Sequence, residues 1–382
     1  MTLGRSAARS DGGTGEAARR IAVVLGTRPE IIKLAGIIDL LGDAAQVIHT
    51  GQHYDDTLSG TFFAEHDLKP PAVQLQVGGL RRGAQIGRAV TDLDELFAEE
   101  PPAAVVVQGD TNATVAGALA ANAAGIPLVH VEAGLRSYDR AMPEEHNRVL
   151  VDHLADLCCA ATAGNVANLA AEGIVDGVVV TGNTVVEAVQ RQLPDAGQRR
   201  AALDRHGCTD GGYVLATVHR PENTDDPDHL AAILGALRTC GRPVVLPLHP
   251  RTRAAVGAHG LDHLLDGLGV IEPLGSGDFL SLAAHAALLV SDSGGVQEEC
   301  TVLKRPLVVV RNSTERPESL DHFARLVEPD HLAAALRDVL AVGPDLLATL
   351  AGLPSPYGDG RASERIVTHL DALVGGARSG AR

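Results

Sequence analysis

Short apolar runs rich in β-branched residues recur along the first half of the chain, and each run ends in a turn signal followed by a helix-like stretch. Six runs share this pattern: IAVVLGT (21–27), AQVIHTG (45–51), AVVVQGD (104–110), IPLVHVEAG (126–134), LCCAAT (157–162) and GVVVTGN (177–183). Runs that are apolar on both faces and separated by helical segments are typical of a parallel sheet covered by helices on both sides. The first half therefore predicts a doubly wound α/β domain.

The pattern breaks at residues 190–211, where charged residues, Pro and Gly replace it, and then resumes. Five more runs follow: GYVLATVH (212–219), RPVVLPLH (242–249), GVIEPL (269–274), ALLVSDSGG (287–295) and RPLVVVRN (305–312). The two series predict two doubly wound α/β domains joined by a linker near residues 185–212.

Polar residues stand directly after many of the predicted strands. Ligands of doubly wound sheets bind beyond the carboxyl ends of the strands, so we expect one cleft between the domains to collect these residues. They are Thr27, Arg28, Gly51, Gln52, His53, Gly109, Asp110, Glu132, His219, Arg220, His249, Ser293, Gly294 and Gly295.

Length and charge narrow the class of protein. The 382 residues allow two or three domains, and a net charge of −16 argues against a nucleic-acid surface. No apolar run approaches the roughly 20 residues of a membrane span. Residues 1–20 lack the apolar segment of a signal peptide and are expected to form a disordered leader. The five cysteines show no metal-binding spacing, so we predict reduced thiols in a cytoplasmic protein.

The string SDSGGVQEE (291–299) follows one predicted strand and opens a helix. Ser293, Gly294 and Gly295 would offer a hydroxyl and backbone N–H groups to an anion at the positive end of the helix dipole. Glycine also lets a diphosphate approach the backbone closely. Glu299, one turn further along, could accept hydrogen bonds from two ribose hydroxyls. An ordinary strand–turn–helix junction explains the motif equally well.

The string GTRPEIIK (26–33) places two cations behind another predicted strand. Arg28 and Lys33 could meet a phosphate or a carboxylate in the cleft, whereas a surface Arg and a snorkelling Lys are the alternative. Lysine occurs only at positions 33, 69 and 304, and Lys33 lies in an otherwise apolar helical stretch, which favours a function for it. The string is not the G-x-G-x-x-G fingerprint of dinucleotide-binding folds, so no nicotinamide cofactor is expected.

Two carboxylates at strand ends are candidate acid–base groups. Asp110 precedes a helix rich in small residues, so it is either an N-cap or a functional acid, or both. Glu132 directly follows the run LVHV, where an unpaired acid is costly unless it is bound or used in the reaction.

A third candidate lies in MPEEHNR (142–148), where Pro143 occupies the first helical position. Glu144 and Glu145 are then first-turn acids that complement the helix dipole, and Glu144 is also spaced to pair with Arg148. We interpret Glu145 as structural. We interpret Glu144 as catalytic, because Asp110 and Glu132 end strands that face the same predicted cleft.

Three residues of the second half are candidate ligands of a nucleotide. His219 could bind a phosphate or assist a leaving group, although a lone histidine is usually structural. Phe279, one of few aromatic residues, could stack on a base or belong to the core. Arg316 could bind phosphate or sugar, or belong to a plain capped turn. The histidines show no metal-ligand spacing, so no metal is expected.

Taken together, the strings occur in a recognisable order: GTRPEIIK, TGQHYD, QGDT, HVEAGLRS, MPEEHNR, TGNT, VHRPEN, SDSGGVQEE, STERPE and SPYGDGRAS. Over about residues 20–372 this chain resembles the non-hydrolysing UDP-N-acetylglucosamine 2-epimerases. The resemblance implies a GT-B fold, with two Rossmann-like domains facing across a cleft. The first domain (21–188) would carry the sugar site and the catalytic acids, the second (189–358) would bind UDP, and a C-terminal helix (359–376) would return to the first domain.

The resemblance also implies roles for individual residues. The catalytic and sugar positions of the family fall on Arg28, Lys33, Asp110, Glu132, Glu144 and His219. The UDP contacts fall on Leu274 (through its backbone), Phe279, Ser293, Gly294, Gly295, Glu299 and Arg316. No cofactor is implied, and a homodimer is expected.

One stretch departs from the family pattern. Many bacterial members have Q-H-R-x-M where this chain has Gln52, His53, Tyr54, Asp55 and Asp56. In those members the stretch helps to bind a second, activating substrate molecule.

The activity implied is the reversible C2 epimerisation of UDP-GlcNAc to UDP-ManNAc, by elimination of UDP and its re-addition to a 2-acetamidoglucal. Because fold does not fix function, three alternatives stay open. They are a glycosyltransferase that uses a UDP-sugar, an epimerase that acts on a modified UDP-aminosugar, and an inactive nucleotide-sugar sensor.

Overall fold

The computed structural model describes residues 20–52, 63 and 68–376. The predicted leader apart from Arg20, and residues 53–56 of the departing stretch, lie outside this part of the chain. Among the described residues, no helix combines the length and the apolar character needed to cross a membrane.

In the described part of the chain, thirteen strands form two parallel sheets, of seven and six strands. The first sheet contains β1 (Ile21–Leu25), β2 (Ala45–His49), β3 (Val73–Gln74), β4 (Ala104–Gln108), β5 (Leu128–Ala133), β6 (Leu157–Ala160) and β7 (Val178–Val180), in the order β3-β2-β1-β4-β5-β6-β7. The second contains β8 (Val214–Thr217), β9 (Val244–Pro247), β10 (Gly269–Ile271), β11 (Leu288–Ser291), β12 (Leu307–Val310) and β13 (Ala324–Val327), in the order β10-β9-β8-β11-β12-β13. This is the GT-B arrangement, so the predicted fold class is confirmed.

Helices connect these strands and cover both faces of each sheet. Around the first sheet they are α1 (Arg28–Leu41), α2 (Arg82–Glu99), α3 (Asn112–Ala123), α4 (Pro143–Leu154) and α5 (Ala163–Ala171). The chain continues through α6 (Val185–Gln192), α7 (Ala196–Arg205), α8 (Pro221–Thr224), α9 (Pro227–Arg238), α10 (Pro250–His259), α11 (Ser276–His285), α12 (Gly294–Leu303), α13 (Leu332–Val342), α14 (Pro344–Ala351) and α15 (Ala362–Gly376).

Burial explains why the central strands read as continuous apolar runs. Every residue of β1, β4 and β5 is buried, because helices cover both faces of the sheet. The helix α15 returns to the first sheet, where Ala362, Ile366, Leu370 and Val374 join its core. The valines of α6 pack instead in the core of the second sheet.

The predicted linker, residues 185–212, lies in the stretch that connects β7 of the first sheet to β8 of the second. Most of this segment is helical, in α6 and α7. Asp195 caps α7 by accepting a hydrogen bond from the backbone of Gln198. The charged residues that broke the strand pattern belong to the exposed faces of these helices, so charge and a proline marked a change of element and not a loop.

Candidate active site between the two sheets

The order of strands reverses between β1 and β4 in the first sheet, and between β8 and β11 in the second. Such switch points open a crevice at the carboxyl ends of the strands. Arg28, Asp110, His219 and Ser293 each follow one of these four strands. The topology therefore explains why most of the predicted site residues lie close to strands β1, β4, β8 and β11.

Glu132 lies at the end of β5 in a strained conformation. Its φ is 69°, a left-handed value that an L-residue other than glycine rarely adopts, and the register of β5 against β6 shifts at this point. Backbone strain of this kind costs on the order of 1–3 kcal/mol and persists only where the surroundings enforce it. At Glu132, the side chains that bind its carboxylate hold the backbone in this conformation.

The Glu132 carboxylate is buried and saturated with hydrogen-bond donors. Lys33 Nζ donates to both oxygens at 2.9 and 3.0 Å, and Asn183 Nδ2 donates to Oε1 at 3.3 Å. Gln108 also donates to it, and Arg316 Nη2 lies 3.4 Å away. Burial alone would raise the pKa of Glu132, but Lys33 and Arg316 outweigh burial and hold it below its usual range. The alternative of a snorkelling Lys33 is therefore wrong.

The second sheet contributes the opposite side of this cluster. Glu298, on α12, lies 2.8 Å from Lys33 Nζ and accepts from Arg316 Nε at 2.8 Å. Burial raises the pKa of Glu298, Arg316 and Lys33 oppose the shift, and the adjacent Glu132 adds to it. The plain capped turn considered for Arg316 does not describe it, because its guanidinium is buried among three carboxylates, those of Glu132, Glu298 and Glu315.

Asp110 lies beside this cluster, at the end of β4. Its carboxylate accepts from Arg148 Nε at 2.9 Å, and its side chain keeps 26% of its surface exposed. The N-cap of α3 is Thr111, whose hydroxyl accepts from the backbone of Thr114 at 3.1 Å. The capping interpretation of Asp110 is wrong, so its carboxylate is directed to Arg148 and not to the helix.

Glu144 and Glu145 differ in their surroundings. Glu145 is buried and accepts from Ser137 N, Ser137 Oγ and Tyr138 N at 2.8–3.0 Å, so it organises the loop before α4. Glu144 is exposed in the first turn of α4. The expected Glu144–Arg148 pair is absent among the described contacts. Arg148 pairs with Glu145 and Asp110 instead, because both of those carboxylates are closer to its guanidinium.

A cavity of about 290 Å³ lies between α1 and α6 on one side and α11 and α12 on the other. It brings together Arg28, Leu274, Phe279 and Glu299. Phe279 both lines this cavity and packs against the core of the second sheet, so its two interpretations hold together. Burial, with a contribution from the charge of Glu298, raises the pKa of Glu299 to about 7.

The turn before α12 combines close packing with the first N–H groups of a helix. Ser293 is the N-cap residue, and its hydroxyl makes no capping hydrogen bond. A Cβ placed on Gly294 would lie 2.6 Å from Arg316 Nη1, so no larger residue fits there unless Arg316 moves. The first N–H groups of a helix suit an anion, and this helix has glycine at its first two positions.

His219 follows β8 and is paired with a carboxylate that follows β11. Its Nδ1 lies 3.0 Å from Asp292 Oδ1, and its side chain is 38% exposed. Asp292 also accepts from the backbone N–H groups of His219 and Arg220, both at 2.9 Å. Burial alone would raise the pKa of Asp292, but the hydrogen bonds and charge of His219 hold it below its usual range. The pairing orients the ring so that Nε2 faces away from Asp292.

Four residues of this site were missed by the sequence analysis: Gln108, Asn183, Asp292 and Glu298. Each lies within strings already singled out, namely AVVVQGD, GVVVTGN and SDSGGVQEE. Glu298 shares the buried face of α12 with Gly294 and Thr301, a spacing that the sequence shows without showing what that face meets. Within the described residues, no group of three His, Cys, Asp or Glu side chains is arranged to hold a metal ion.

Comparisons of sequence and of structure with known proteins point to one family. A family model described as UDP-N-acetylglucosamine 2-epimerase matches residues 42–371. A UDP-N-acetylglucosamine 2-epimerase of Methanococcus maripaludis is 38% identical, over 91% of this chain and 97% of its own length. A UDP-2,3-diacetamido-2,3-dideoxy-D-glucuronate 2-epimerase of Pseudomonas aeruginosa is 36% identical, over 93% and 100%. The crystal structure of a UDP-GlcNAc 2-epimerase from Methanocaldococcus jannaschii, in complex with UDP-GlcNAc and UDP, superposes with a TM-score of 0.82 at 37% identity, over 92% and 99%.

Proposed function

This chain belongs to the UDP-N-acetylglucosamine 2-epimerase family of isomerases, and from that membership we propose that it interconverts UDP-GlcNAc and UDP-ManNAc. The observation that supports this most directly is that a carboxylate of the first sheet is joined to the wall of a cavity in the second. Asp110 and Glu132 lie at strand ends of the first sheet. Glu132 is joined through Lys33 to Glu298, the neighbour of Glu299, which lines the cavity together with Phe279.

The chemistry requires more than a base. The C2–H of the sugar has no neighbouring carbonyl to acidify it, so removal of the proton needs a leaving group at C1. We propose that UDP departs as the C2 proton is lost, through a transition state with oxocarbenium character, to give a 2-acetamidoglucal. UDP then adds back while C2 is protonated on the opposite face.

The surroundings of the carboxylates suggest a division of roles. Glu132 remains ionised, because Lys33 and Arg316 lower its pKa, and so it is suited to stabilise positive charge on the sugar. Asp110 is the more exposed of the two and is held by one arginine, so it is suited to carry the proton. Glu144, exposed at the start of α4, is the candidate for the second proton carrier.

Donors on both lobes are suited to the departing diphosphate. The turn Ser293–Gly295 would bind it through N–H groups at the start of α12, and Arg28 and Arg316 would supply positive charge. His219, oriented by Asp292, would donate from Nε2 to the leaving oxygen. Phe279, the backbone of Leu274 and Glu299 would hold the base and the ribose.

A second candidate substrate follows from one relative. The Pseudomonas aeruginosa protein is named for a UDP-2,3-diacetamido sugar acid and is almost as similar to this chain as the UDP-GlcNAc enzymes are. The alternative hypothesis is therefore that the protein epimerises a modified UDP-aminosugar. The same carboxylates would have the same roles.

Incubation with UDP-GlcNAc alone in D₂O tests the proposal. The expected result is deuterium at C2 in both UDP-GlcNAc and newly formed UDP-ManNAc, measured by NMR. A transferase would give no labelled sugar without an acceptor, and a sensor would bind the nucleotide and exchange nothing. Labelling of UDP-2,3-diacetamido-2,3-dideoxyglucuronate but not of UDP-GlcNAc would favour the alternative substrate.

We also propose that the two lobes are domains that close on the nucleotide sugar to exclude water. The divisions expected from the resemblance, 21–188, 189–358 and 359–376, serve as the starting point, although α6 spans the first of these boundaries. The homodimer stays a prediction, which light scattering of the purified protein tests.

A further inference from the structure

A buried histidine lies beneath the turn that carries Asp110. His130, in the middle of β5, is fully buried. Its Nε2 lies 2.8 Å from the carbonyl oxygen of Gly109, and its Nδ1 lies 2.6 Å from Asp152 Oδ1. A carbonyl and a carboxylate can only accept, so a ring that satisfies both contacts carries two N–H groups.

Asp152 extends this contact to the neighbouring elements. It lies on α4, the helix that carries Glu144 in its first turn, and it accepts from the backbone N–H of Gly134 at 3.2 Å. Arg136 Nη1 donates to it at 2.7 Å, and the same guanidinium is bound by Glu172 at the end of α5. Asp152, Arg136 and Glu172 thus form a row of alternating charges that leads from His130, beneath the Gly109 turn, to the surface near α5.

We propose that His130 is a positioning residue for the reaction, whose Nε2–H holds the Gly109 carbonyl and thereby places the Asp110 carboxylate in the cleft. This inference rests on the role of Asp110 in the proposed function. His130 itself is buried under the turn and does not line the cavity beside Phe279 and Glu299.

The turn is held at three successive carbonyls, and His130 holds the middle one. The carbonyl of Gln108 accepts from Thr114 Oγ1 and that of Asp110 from Asn147 Nδ2, both at 2.7 Å. Gly109 has a φ of 71°, which glycine adopts easily but does not prefer over other values. Its N–H donates to the carbonyl of Val131 at 3.0 Å, and its own carbonyl accepts from His130. Both peptide groups on either side of Gly109 are therefore fixed, and Asp110 is the next residue. A displacement of about 1 Å at a reacting group can cost about 10²-fold in rate.

The segments that carry Glu132 and Glu144 also contact the buried His130–Asp152 pair, in both cases through Asp152. Gly134 is two residues beyond Glu132, and Asp152 is two turns beyond Glu144 on the same helix. The elements that carry the three candidate acids are thus connected by one buried pair of side chains. The alternative is that His130 and Asp152 only stabilise the first sheet.

Two substitutions of His130 separate these possibilities. The side-chain amide of glutamine can reach the place of Nε2, so His130→Gln keeps a donor for Gly109 and gives up the contact with Asp152. The shorter amide of asparagine reaches the place of Nδ1, so His130→Asn keeps a donor for Asp152 and gives up the contact with Gly109. The two variants remove opposite ends of the same pair of hydrogen bonds.

The kcat and KM of both variants are measured with UDP-GlcNAc, together with UDP affinity by calorimetry and stability by urea unfolding. We expect His130→Gln to keep kcat within about tenfold of the wild type and His130→Asn to lose about 10²-fold, with KM and UDP affinity little changed in both. A purely structural role predicts instead that the less stable variant is also the less active one. That variant would be His130→Gln, because it gives up the contact with the buried carboxylate of Asp152.

Each outcome decides the inference. Equal kcat values for the two folded variants, or a lower kcat for His130→Gln than for His130→Asn, would overturn it. If His130→Asn does not fold, His130→Gln decides alone. A kcat loss beyond about tenfold contradicts the tether, and a kcat within about tenfold in a destabilised protein supports it. If the wild-type protein incorporates no deuterium at C2 in D₂O, the proposed function itself is refuted. This exchange is measured before the variants are compared.

Discussion

At the residue scale, the site is a set of charges that neutralise one another before any ligand arrives. Glu132 and Glu298 share Lys33 and Arg316, two carboxylates with two cations, and all four side chains are buried. Burial of a lone charge costs several kcal/mol, whereas a paired and hydrogen-bonded group avoids most of that cost. The strained backbone at Glu132 is maintained because moving its carboxylate would leave two buried cations unpaired.

Neutralising either strand-end acid tests its role directly. We expect Asp110→Asn and Glu132→Gln each to lower kcat by at least about 10²-fold, the usual scale for acid–base and charge-stabilising groups. Coupled measurement of UDP-ManNAc formation and of UDP binding separates the loss of chemistry from the loss of affinity. Asp94→Asn, on the exposed face of α2, is the matched control and should keep its full rate. Near-native turnover in both site variants would remove the proposed roles.

Glu30 gives a prediction about pH and stability. It is buried at the start of α1, and burial raises its pKa from 4.5 to about 7, although hydrogen bonds from Thr111, Gly26 and Thr27 oppose the shift. Between these two pH values the folded state holds a proton that the unfolded chain releases, so stability falls as pH rises from about 4.5 to beyond 7. One pKa unit corresponds to about 1.4 kcal/mol, so the loss is on the order of 3 kcal/mol.

Glu30→Gln carries no such proton and should therefore be less sensitive to pH. Urea unfolding of the wild type and the variant at pH 5, 6, 7 and 8 gives the comparison. The expected result is that the variant loses less stability than the wild type between pH 5 and pH 8. Glu299 titrates in the same range, but it is present in both proteins and cancels. Parallel stability curves would show that the Glu30 carboxyl does not titrate as described.

The residues that the sequence missed share a physical reason. Glu298 and Glu299 are adjacent on a helix and point about 100° apart, and the sequence analysis considered only Glu299. Their assignment depends on which face of α12 meets the first sheet, and this contact joins residues far apart in the chain. Arg28, Asp110 and Glu132 were easier to identify, because polar residues where a buried strand ends lie at the edge of the sheet whatever the other domain does. Lys33 was identified by the scarcity of lysine and by its apolar helix.

At the scale of elements, the start of α12 is the feature most sensitive to added volume. Gly294→Ala would bring a methyl group to 2.6 Å from Arg316 Nη1 and 3.0 Å from Glu315 Oε1. Because Arg316 must then leave its place between Glu298 and Glu132, we expect the affinity for UDP to fall about tenfold or more, which is about 1.4 kcal/mol. Isothermal calorimetry with UDP measures the change.

Gly235→Ala in α9 is the matched control. This glycine also lies within a helix, and no atom of the described chain comes within 4 Å of the Cβ that alanine would add. Removing a helical glycine should stabilise the protein by about 0.5–1 kcal/mol without changing UDP affinity. If both alanine variants bind UDP like the wild type, close packing at Gly294 has no part in nucleotide binding.

The same scale shows what the hydrophobic pattern could and could not predict about elements. All central strands were predicted, because strands buried on both faces leave an unmistakable apolar run. The edge strands β3 and β13 were missed. β3 has only two residues, and β13 is partly exposed and includes Arg325, so neither produces such a run. The hydrophobic pattern predicts a strand only where the strand is buried, and strands at the edge of a sheet are the least buried.

At the scale of the whole molecule, the two lobes are joined by buried contacts that cross the cleft. Glu298 binds Lys33 of the first lobe, Arg316 approaches Glu132, and Glu318 accepts from Thr162 at the start of α5. Asn183, between the lobes, donates to both Glu132 and Glu298. An incoming nucleotide sugar brings a diphosphate, so it can replace some of these contacts with its own. In the proposed closure, binding would act on the lobes through these same charges.

Glu298→Gln tests whether this buried cluster holds the lobes together. The substitution leaves Lys33 and Arg316 with one carboxylate fewer, and removing one partner of a buried ion pair costs about 3–5 kcal/mol. We expect the unfolding free energy to fall by that order, and the radius of gyration from X-ray scattering of the nucleotide-free protein to increase. Asp39→Asn is the control, because Asp39 pairs with Arg191 between α1 and α6, where each side chain is nearly half exposed. Such a pair contributes at most about 1 kcal/mol.

Since UDP supplies new contacts across the cleft, its addition should return the Glu298→Gln scattering curve toward that of the wild type. If the curve of the nucleotide-free variant already overlays the wild type, the lobes are held by their apolar contacts, and the charged cluster serves the substrate alone.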